Sequence, residues 1–254
     1  MRLIRIAPEV WVGVSAAWQT THTICGAGGA LVIDGPVLPD EVTALAAGAR
    51  PRALIATHGD WDHLLAPLAF PRADRRAGRA TIERLRAHRD AIDAGLATWD
   101  SARGVRPRAL PDWTGAQVLT APGVVDSPVG PITVAPTPGH TPDGIAILLP
   151  GPGVLVAGDY LSPREIPALD PAAGCAEYLA SLDRLEALLA QARCVVPGHG
   201  WPLDAARVRT ILAEDRRYVA ALADGQAPPP PPRAAADPAQ QSQHRANRAA
   251  AQGR

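Results

Sequence analysis

The stretch that decides the fold is Ala56-Thr57-His58-Gly59-Asp60-Trp61-Asp62-His63. Its first two residues are the last two of the apolar segment RALIAT, residues 52–57. This segment predicts a short buried strand. Side chains two positions apart point to the same side of an extended chain, so His58, Asp60 and Asp62 are expected to face one pocket. His63 joins them if the chain turns into a helix near Asp62. Six residues therefore offer four groups that can bind a metal ion.

Three later segments each place another histidine or aspartate just beyond or between predicted strands. They are Thr137-Pro138-Gly139-His140-Thr141-Pro142, Val156-Ala157-Gly158-Asp159-Tyr160 and Val195-Val196-Pro197-Gly198-His199-Gly200. Imidazole and carboxylate are common nitrogen and oxygen ligands of zinc, and catalytic zinc sites keep one position open for water. Capping aspartates and core histidines explain any one segment alone, but four segments together favour a metal centre.

The rest of the chain alternates strands and helices in two halves. Residues 2–34 read as an antiparallel meander, and a helix at 39–47 leads into the strand before His58. An amphipathic helix is predicted at 81–99. Further predicted strands and helices are strands at 117–119, 132–135, 145–149, 154–157 and 194–196, and helices at 176–190 and 205–223. This pattern predicts stacked α/β layers.

The composition after Gly225 differs from that of the preceding chain. Five consecutive prolines are followed by a stretch rich in alanine, arginine and glutamine, with almost no larger apolar side chain. Such a segment lacks the apolar surface needed for a core. We therefore predict a folded domain at residues 1–225 and a disordered tail at residues 226–254.

Charge and cysteine usage limit the partners and the compartment. The 25 basic and 25 acidic residues of this 254-residue chain cancel, which disfavours nucleic acid as a partner. No apolar run approaches the length of a membrane span or a signal peptide. The odd set Cys25, Cys175 and Cys194 forms no disulfide framework. We expect a cytoplasmic protein that acts on a small molecule, without a membrane partner; the oligomeric state stays open.

The order and flanks of the four segments resemble the metallo-β-lactamase superfamily, especially its small glyoxalase-II-like hydrolases. The resemblance runs from about residue 10 to residue 222. It implies a four-layer αβ/βα sandwich, an α/β fold with two mixed sheets flanked by helices. It also implies two divalent metal ions, with zinc as the first expectation. The first ion would be held by His58, Asp60 and His140, the second by Asp62, His63 and His199, and Asp159 would bridge them.

One position departs from the family pattern HxHxDH. Asp60 stands where the family has a histidine, which gives HxDxDH. If Asp60 binds, an additional hard oxygen ligand shifts the preference from zinc towards iron or manganese. If the shorter side chain does not reach, the first ion is weakly bound or absent. We hypothesise that Asp60 is a ligand, because it alternates with His58 and Asp62.

The resemblance implies hydrolysis by a metal-bridging hydroxide. Asp62 and Asp159 would orient this nucleophile, and Tyr160 is a candidate hydrogen-bond donor to the substrate or oxyanion. A thioester, ester or lactone is the expected substrate. Two alternatives stay open, an iron-dependent oxidoreductase of sulfur or oxygen chemistry and a metal-poor binding module. The remaining histidines, His22, His88 and His244, are expected to be structural or solvated.

Overall fold

Two mixed β-sheets form the middle of the protein, which this computed structural model describes over residues 1–252. The strands of the first sheet, in spatial order, are β1 (Arg2–Ala7), β2 (Val10–Val14), β3 (Thr21–Cys25), β4 (Leu31–Ile33), β5 (Ala53–Ala56), β6 (Asp74–Gly78) and β7 (Gln117–Leu119). Strands β1 to β4 pair antiparallel, as predicted for the meander, and β4 to β7 pair parallel. In the parallel part, β5 lies inside the sheet, between β4 and β6.

The second sheet has six strands in the spatial order β13-β12-β11-β10-β9-β8. They are β8 (Gly123–Ser127), β9 (Gly130–Pro136), β10 (Ile145–Leu149), β11 (Val154–Val156), β12 (Cys194–Val196) and β13 (Leu203–Asp204). All neighbours pair antiparallel except β11 and β12, which are parallel. Because β11 and β12 run in the same direction, the residues that follow both strands lie at the same end of the sheet.

Helices flank both sheets, and the last of them packs on two other helices. They are α1 (Pro39–Gly48), α2 (Ala66–Ala69), α3 (Arg79–Ala102), α4 (Gly174–Leu189), α5 (Ala205–Ala223) and α6 (Pro238–Gln252). One core cluster lies between the sheets, a second joins the first sheet to α1 and α3, and a third joins the second sheet to α4 and α5. The predicted four-layer αβ/βα sandwich is confirmed. None of the helices within residues 1–252 combines the length and apolar character of a membrane span.

The segment after Gly225 differs from the predicted disordered tail. Its described part, up to residue 252, contains the helix α6, which packs on α4 and α5. Polar side chains fix it: Asn247 is fully buried, accepts from Leu169 N at 3.1 Å and donates to Pro167 O. Gln240 accepts a hydrogen bond from Ile166 N at 2.9 Å. The prediction rested on missing apolar surface, whereas buried amide hydrogen bonds hold this segment. Residues 253 and 254 lie outside the described residues.

Candidate metal centre

The motif after β5 changes from strand to helix within a few residues. His58 follows the buried strand, and Asp60 keeps an extended backbone with φ −79° and ψ 137°. A turn of 3₁₀ helix begins at Trp61 and ends at His63. The extended part points His58 and Asp60 to the same side, and the helical turn brings Asp62 and His63 back towards it. The predicted change of backbone is therefore present, one residue earlier than expected.

The other three segments meet this motif at one end of the sandwich. Thr57 O accepts from Ile145 N at 2.9 Å, which joins the end of β5 to the start of β10. His140 lies in the loop between β9 and β10, Asp159 follows β11 and His199 follows β12. All seven predicted ligands are thus brought together.

Two groups of ligand atoms are separated by their distances. In the first, Asp60 Oδ2 lies 3.6 Å from His58 Nε2 and 3.5 Å from His140 Nε2. We call this group the outer site, because the Asp60 side chain is 32% exposed. In the second group, Asp62 Oδ2 lies 3.4 Å from His199 Nε2 and 3.7 Å from His63 Nε2. We call it the inner site, because all three of its residues are buried.

Asp159 lies between the two sites. Its Oδ2 is 3.7 Å from His58 Nε2, 3.2 Å from His140 Nε2 and 3.3 Å from His199 Nε2. Its Oδ1 is 3.1 Å from His63 Nε2. One carboxylate therefore reaches imidazoles of both sites, which is the geometry of a bridging ligand. Gly198 allows this position, because a Cβ there would collide with Asp159 Oδ1.

The donor atoms fit divalent metal ions. The Nε2 atoms of His58, His63 and His140 and the Oδ1 atom of Asp159 are buried. Although each nitrogen lies within 3.7 Å of a carboxylate oxygen, none of these atoms makes a hydrogen bond of normal geometry within the described residues. Buried polar atoms are rarely left unsatisfied, since each costs about 1–3 kcal/mol. Within each of the two sites the ligand atoms lie within 4.8 Å of one another. Nitrogen and carboxylate oxygen at this spacing match the ligand chemistry of zinc, iron and manganese.

The electrostatics of the centre favour a bound cation. Burial works to lower the pKa of His63, but the Asp159 carboxylate raises this pKa well above its usual range. At His199 burial is again opposed, by Asp159 and Glu165, and the pKa rises to about 9. Burial works to raise the pKa of Asp159, and the surrounding imidazoles hold it well below its usual value. In the metal-free protein the imidazoles of His63 and His199 therefore hold protons, which a metal ion must displace, whereas Asp159 is already ionised.

Comparison with known proteins agrees with this geometry. The sequence profile of the metallo-beta-lactamase superfamily matches residues 21–199, which is most of the chain and includes all seven predicted ligands. This chain belongs to the metallo-beta-lactamase superfamily. No curated protein sequence matches it.

Solved structures of this superfamily share the fold at low identity. The inverting sec-alkylsulfatase Pisa1 from Pseudomonas sp. has a TM-score of 0.67 at 18% identity over 87% of this chain, which spans only 42% of the sulfatase. A metallo-beta-lactamase family protein from Thermus thermophilus has a TM-score of 0.66 at 20% identity, covering 87% of this chain and 82% of that one. The protein TTHA1623 in a di-iron-bound form has a TM-score of 0.55 at 23% identity, covering 77% and 95%.

In the inner site of this metallo-beta-lactamase fold, His63 contacts a carboxylate that was not predicted from the sequence. Asp34 Oδ2 lies 3.1 Å from His63 Nδ1, the ring nitrogen that faces away from the ligand cluster. Thr57 donates to Asp34 through its backbone N at 2.8 Å and through its hydroxyl at 2.9 Å. A carboxylate behind a ligating histidine fixes the ring orientation and increases its basicity. The sequence signal that could have identified Asp34 was an acidic residue directly after the buried strand β4.

The outer site has different support, which was also missed. Arg84, on α3, donates to Asp60 Oδ1 at 2.6 Å and to Asp143 Oδ1 at 2.9 Å. Asp143 Oδ2 in turn accepts from Gly59 N at 2.7 Å. The ring nitrogen of His140 that faces away from the cluster, Nδ1, lies 3.3 Å from Ala168 O.

The loop that carries Ala168 is fixed by the C-terminal segment. Besides the contacts of Gln240 and Asn247, Arg233 donates to Ser162 O at 2.9 Å and to Glu165 O. Glu165 Oε1 lies 3.8 Å from His199 Nδ1. The segment that was expected to be disordered therefore holds the loop at residues 162–170, which contacts histidines of both sites.

The structure gives Tyr160 a role different from the predicted one. Its hydroxyl is buried, donates to Pro138 O at 2.8 Å and accepts from His140 N at 3.1 Å. Both bonds go to the backbone of the His140 loop, so Tyr160 positions a ligand and does not point its hydroxyl at a substrate. A strand-ending tyrosine gives no sequence signal that separates these two roles.

The remaining histidines lie apart from the ligand cluster. His22 is buried in β3, and neither of its ring nitrogens has a hydrogen-bond partner within residues 1–252. His88 is exposed on α3, and the buried His244 Nδ1 lies 2.9 Å from Tyr218 OH. These positions agree with the expectation that the three histidines are structural or solvated.

Proposed function

We propose that this chain is a metal-dependent hydrolase that holds two divalent metal ions, most simply Zn²⁺, and cleaves a small-molecule thioester, ester or lactone. The observation that carries the proposal is the meeting of four histidines and three aspartates around buried nitrogens that have no hydrogen-bond partner in the described part of the chain. Membership of a superfamily of mostly hydrolytic metalloenzymes supports the reaction class.

The residues divide the work of hydrolysis between binding and proton transfer. A pair of divalent ions supplies Lewis acidity and lowers the pKa of a coordinated water when bound. His58 and His140 would hold the outer ion on the side of the centre that faces the solvent, and His63 and His199 would hold the buried inner ion. The carboxylates of Asp62 and Asp159 would orient the attacking water. No serine or cysteine nucleophile is needed in this scheme.

A groove beside the outer site suits a substrate of mixed character. It encloses about 680 Å³ and includes Asp60 and Arg84. Trp61, Ile92 and Pro142 give it an apolar wall. Small-molecule sites commonly combine apolar walls with a few polar groups that fix orientation. An acyl group on the apolar wall, with its carbonyl at the ligand cluster, fits a thioester, ester or lactone.

The proposal is tested by metal analysis of the purified protein combined with a screen of chromogenic thioesters, lactones, phosphodiesters and β-lactams. We expect two ions per chain and turnover of a thioester, ester or lactone that chelation abolishes and Zn²⁺ restores. A fully loaded protein that turns over none of these substrates would contradict the substrate class.

An iron-dependent oxidoreductase is the second candidate. The Asp60 oxygen in the outer site supports it, because hard oxygen ligands favour iron over zinc. The similarity to TTHA1623, solved in a di-iron-bound form, supports it as well. Bound iron and oxygen consumption with a thiol substrate would favour this candidate. A protein that binds no metal, and that Zn²⁺ or Mn²⁺ does not stabilise against heat, would instead indicate a binding module.

We further propose that the protein works in the cytoplasm, on a small molecule and not on nucleic acid or a membrane. The zero net charge and the cysteine spacing, which matches no disulfide framework, support this setting. Cell fractionation tests it, and recovery in an exported fraction would contradict it.

A further inference from the structure

Asp60 is a ligand of unusual type, and its two oxygens have separate partners. Oδ2 faces the imidazoles of His58 and His140 at 3.6 and 3.5 Å. Oδ1 faces away from them and accepts from Arg84 at 2.6 Å. An aspartate side chain that is one-third exposed has several rotamers and two equivalent oxygens. The contact with Arg84 leaves one oxygen, in one orientation, for a metal ion.

Arg84 is itself fixed by a closed circuit of contacts. Its other terminal nitrogen donates to Asp143 Oδ1 at 2.9 Å, and Asp143 is almost fully buried. Asp143 Oδ2 accepts at 2.7 Å from the backbone N of Gly59, the residue directly before Asp60. A guanidinium group has a planar fork of donors that can hold two carboxylates at once. The circuit therefore starts and ends on two adjacent residues of the metal-binding loop.

The local backbone is adapted to this circuit. A Cβ on Gly59 would lie 3.1 Å from Asp143 Oδ2 and 3.2 Å from the nearer Arg84 nitrogen. These approaches are tighter than ordinary van der Waals contact, so a side chain at position 59 would push both groups away. Glycine is the residue that lets the arginine and the carboxylate come this close to the loop.

From these contacts we propose that Arg84 is a positioning residue that enables an aspartate to act as ligand at position 60. It holds Oδ1 so that Oδ2 is directed at the outer site, and its positive charge offsets the charge that the aspartate adds there. The proposal rests on the two-ion centre proposed above. Both carboxylates that Arg84 holds belong to the outer side of the centre, so the effect is confined to one of the two ions.

The test is a comparison of Arg84→Met in two backgrounds, the natural chain and Asp60→His. Metal-free proteins are titrated with Zn²⁺ and with Mn²⁺ by calorimetry, and Co²⁺ absorption reports the ligand set of each ion. In the natural chain we expect Arg84→Met to weaken the outer ion about 10–100-fold, the usual range for a group that supports a ligand. The inner ion should change less than about twofold. Arg84→Lys, which can hold only one carboxylate firmly, should give an intermediate loss.

The Asp60→His background separates positioning from general support of the loop. An imidazole at position 60 does not need Arg84, so Arg84→Met should change the outer ion less than about twofold there. Arg86→Met on the same helix is the matched control, because Arg86 donates to Thr114 O and not to the loop. It should leave both ions unchanged. If Arg84→Met does not fold, Arg84→Lys in the two backgrounds makes the same comparison.

Three results would overturn the proposal: no loss with Arg84→Met, an equal loss at both ions, or the same loss in the Asp60→His background. These results differ from failure of the proposed function. If the natural chain binds no metal, the two-ion centre is wrong. If the natural chain binds two ions and Arg84→Met binds them equally well, only the role of Arg84 is wrong.

Discussion

The two halves of the candidate metal centre are supported in different ways. The inner site, Asp62, His63 and His199, is buried, and the carboxylate behind His63 is itself held by two donors of Thr57. The outer site, His58, Asp60 and His140, borders the groove and is supported by Arg84 and by the backbone of the loop at 162–170. A buried site with a fixed neighbour loses less entropy on binding than an exposed one. We therefore expect the inner ion to bind more tightly than the outer ion. The variant position of the motif, Asp60, lies in the more weakly binding outer site.

The largest effect is expected at the residue that the two halves share. Asp159→Ala removes the carboxylate that lies between all four imidazoles, so both ions should bind more than about 100-fold more weakly. Calorimetric titration with Zn²⁺ measures this. Asp126→Ala, at an exposed position on β8, is the control. Full affinity for either ion in Asp159→Ala would show that this residue does not bridge.

A change behind the inner site should affect mainly that site. Asp34→Asn keeps the size of the side chain, and asparagine tolerates the positive φ of 58° at this position. The amide removes the charge behind His63 Nδ1, and the inner ion should bind about 10–100-fold more weakly in a calorimetric titration. The outer ion should be weakened less, because Asp34 reaches His58 only through the Thr57 hydroxyl, which lies 3.0 Å from His58 Nδ1. Equal losses at both ions would contradict the division into two separately supported halves.

A change in the C-terminal segment should affect mainly the outer site. Asn247→Ala leaves Leu169 N and Pro167 O without their buried partner, which should lower the free energy of unfolding by about 1–3 kcal/mol in a denaturant titration. The loosened loop should weaken the outer ion by up to about tenfold through Ala168. Arg245→Ala, exposed on the same helix, is the control. Unchanged stability would show that α6 does not hold the loop.

The smallest effect on either ion is expected at His22, which is buried and has no hydrogen-bond partner among the described residues. Burial lowers its pKa from 6.5 to about 4. The unfolded chain then binds more protons than the folded one between these values, so stability falls as the pH falls from about 6.5 to 4.

His22→Leu removes this acid sensitivity. At pH 4.5 it should be more stable than the natural chain by roughly 2–3 kcal/mol beyond any difference at pH 7.5. Denaturant unfolding of the metal-free proteins at the two pH values measures this. Both ions should bind with unchanged affinity, and a loss of either would place His22 in the metal centre.

The layered fold and the ligand cluster could be predicted because both have local signals in the sequence. Alternating short strands and amphipathic helices predict α/β layers, and ligands that directly follow buried strands meet wherever the strand ends meet. Strand β6, with the sequence DRRAG, was missed because it has no β-branched or aromatic residue and depends on its neighbours in the sheet.

The supporting contacts could not be predicted in the same way. Arg84 is 24 positions from Asp60, and Asn247 is 78 positions from Leu169. Neither pair belongs to a repeating pattern, and each forms only because the finished fold brings the two together. The composition of the C-terminal segment indicated disorder for the same reason, since its few buried amides are not distinguishable from solvated ones by sequence.

A metal titration of the metal-free natural chain beside Asp60→Ala tests the two-ion centre without reference to any substrate. We predict two ions per natural chain. In Asp60→Ala we predict one tightly bound ion, held by Asp62, His63 and His199 with Asp159. No bound ion in the natural chain would contradict the two-ion centre, and two ions with unchanged affinities in Asp60→Ala would contradict the role of Asp60 as a ligand of the outer ion.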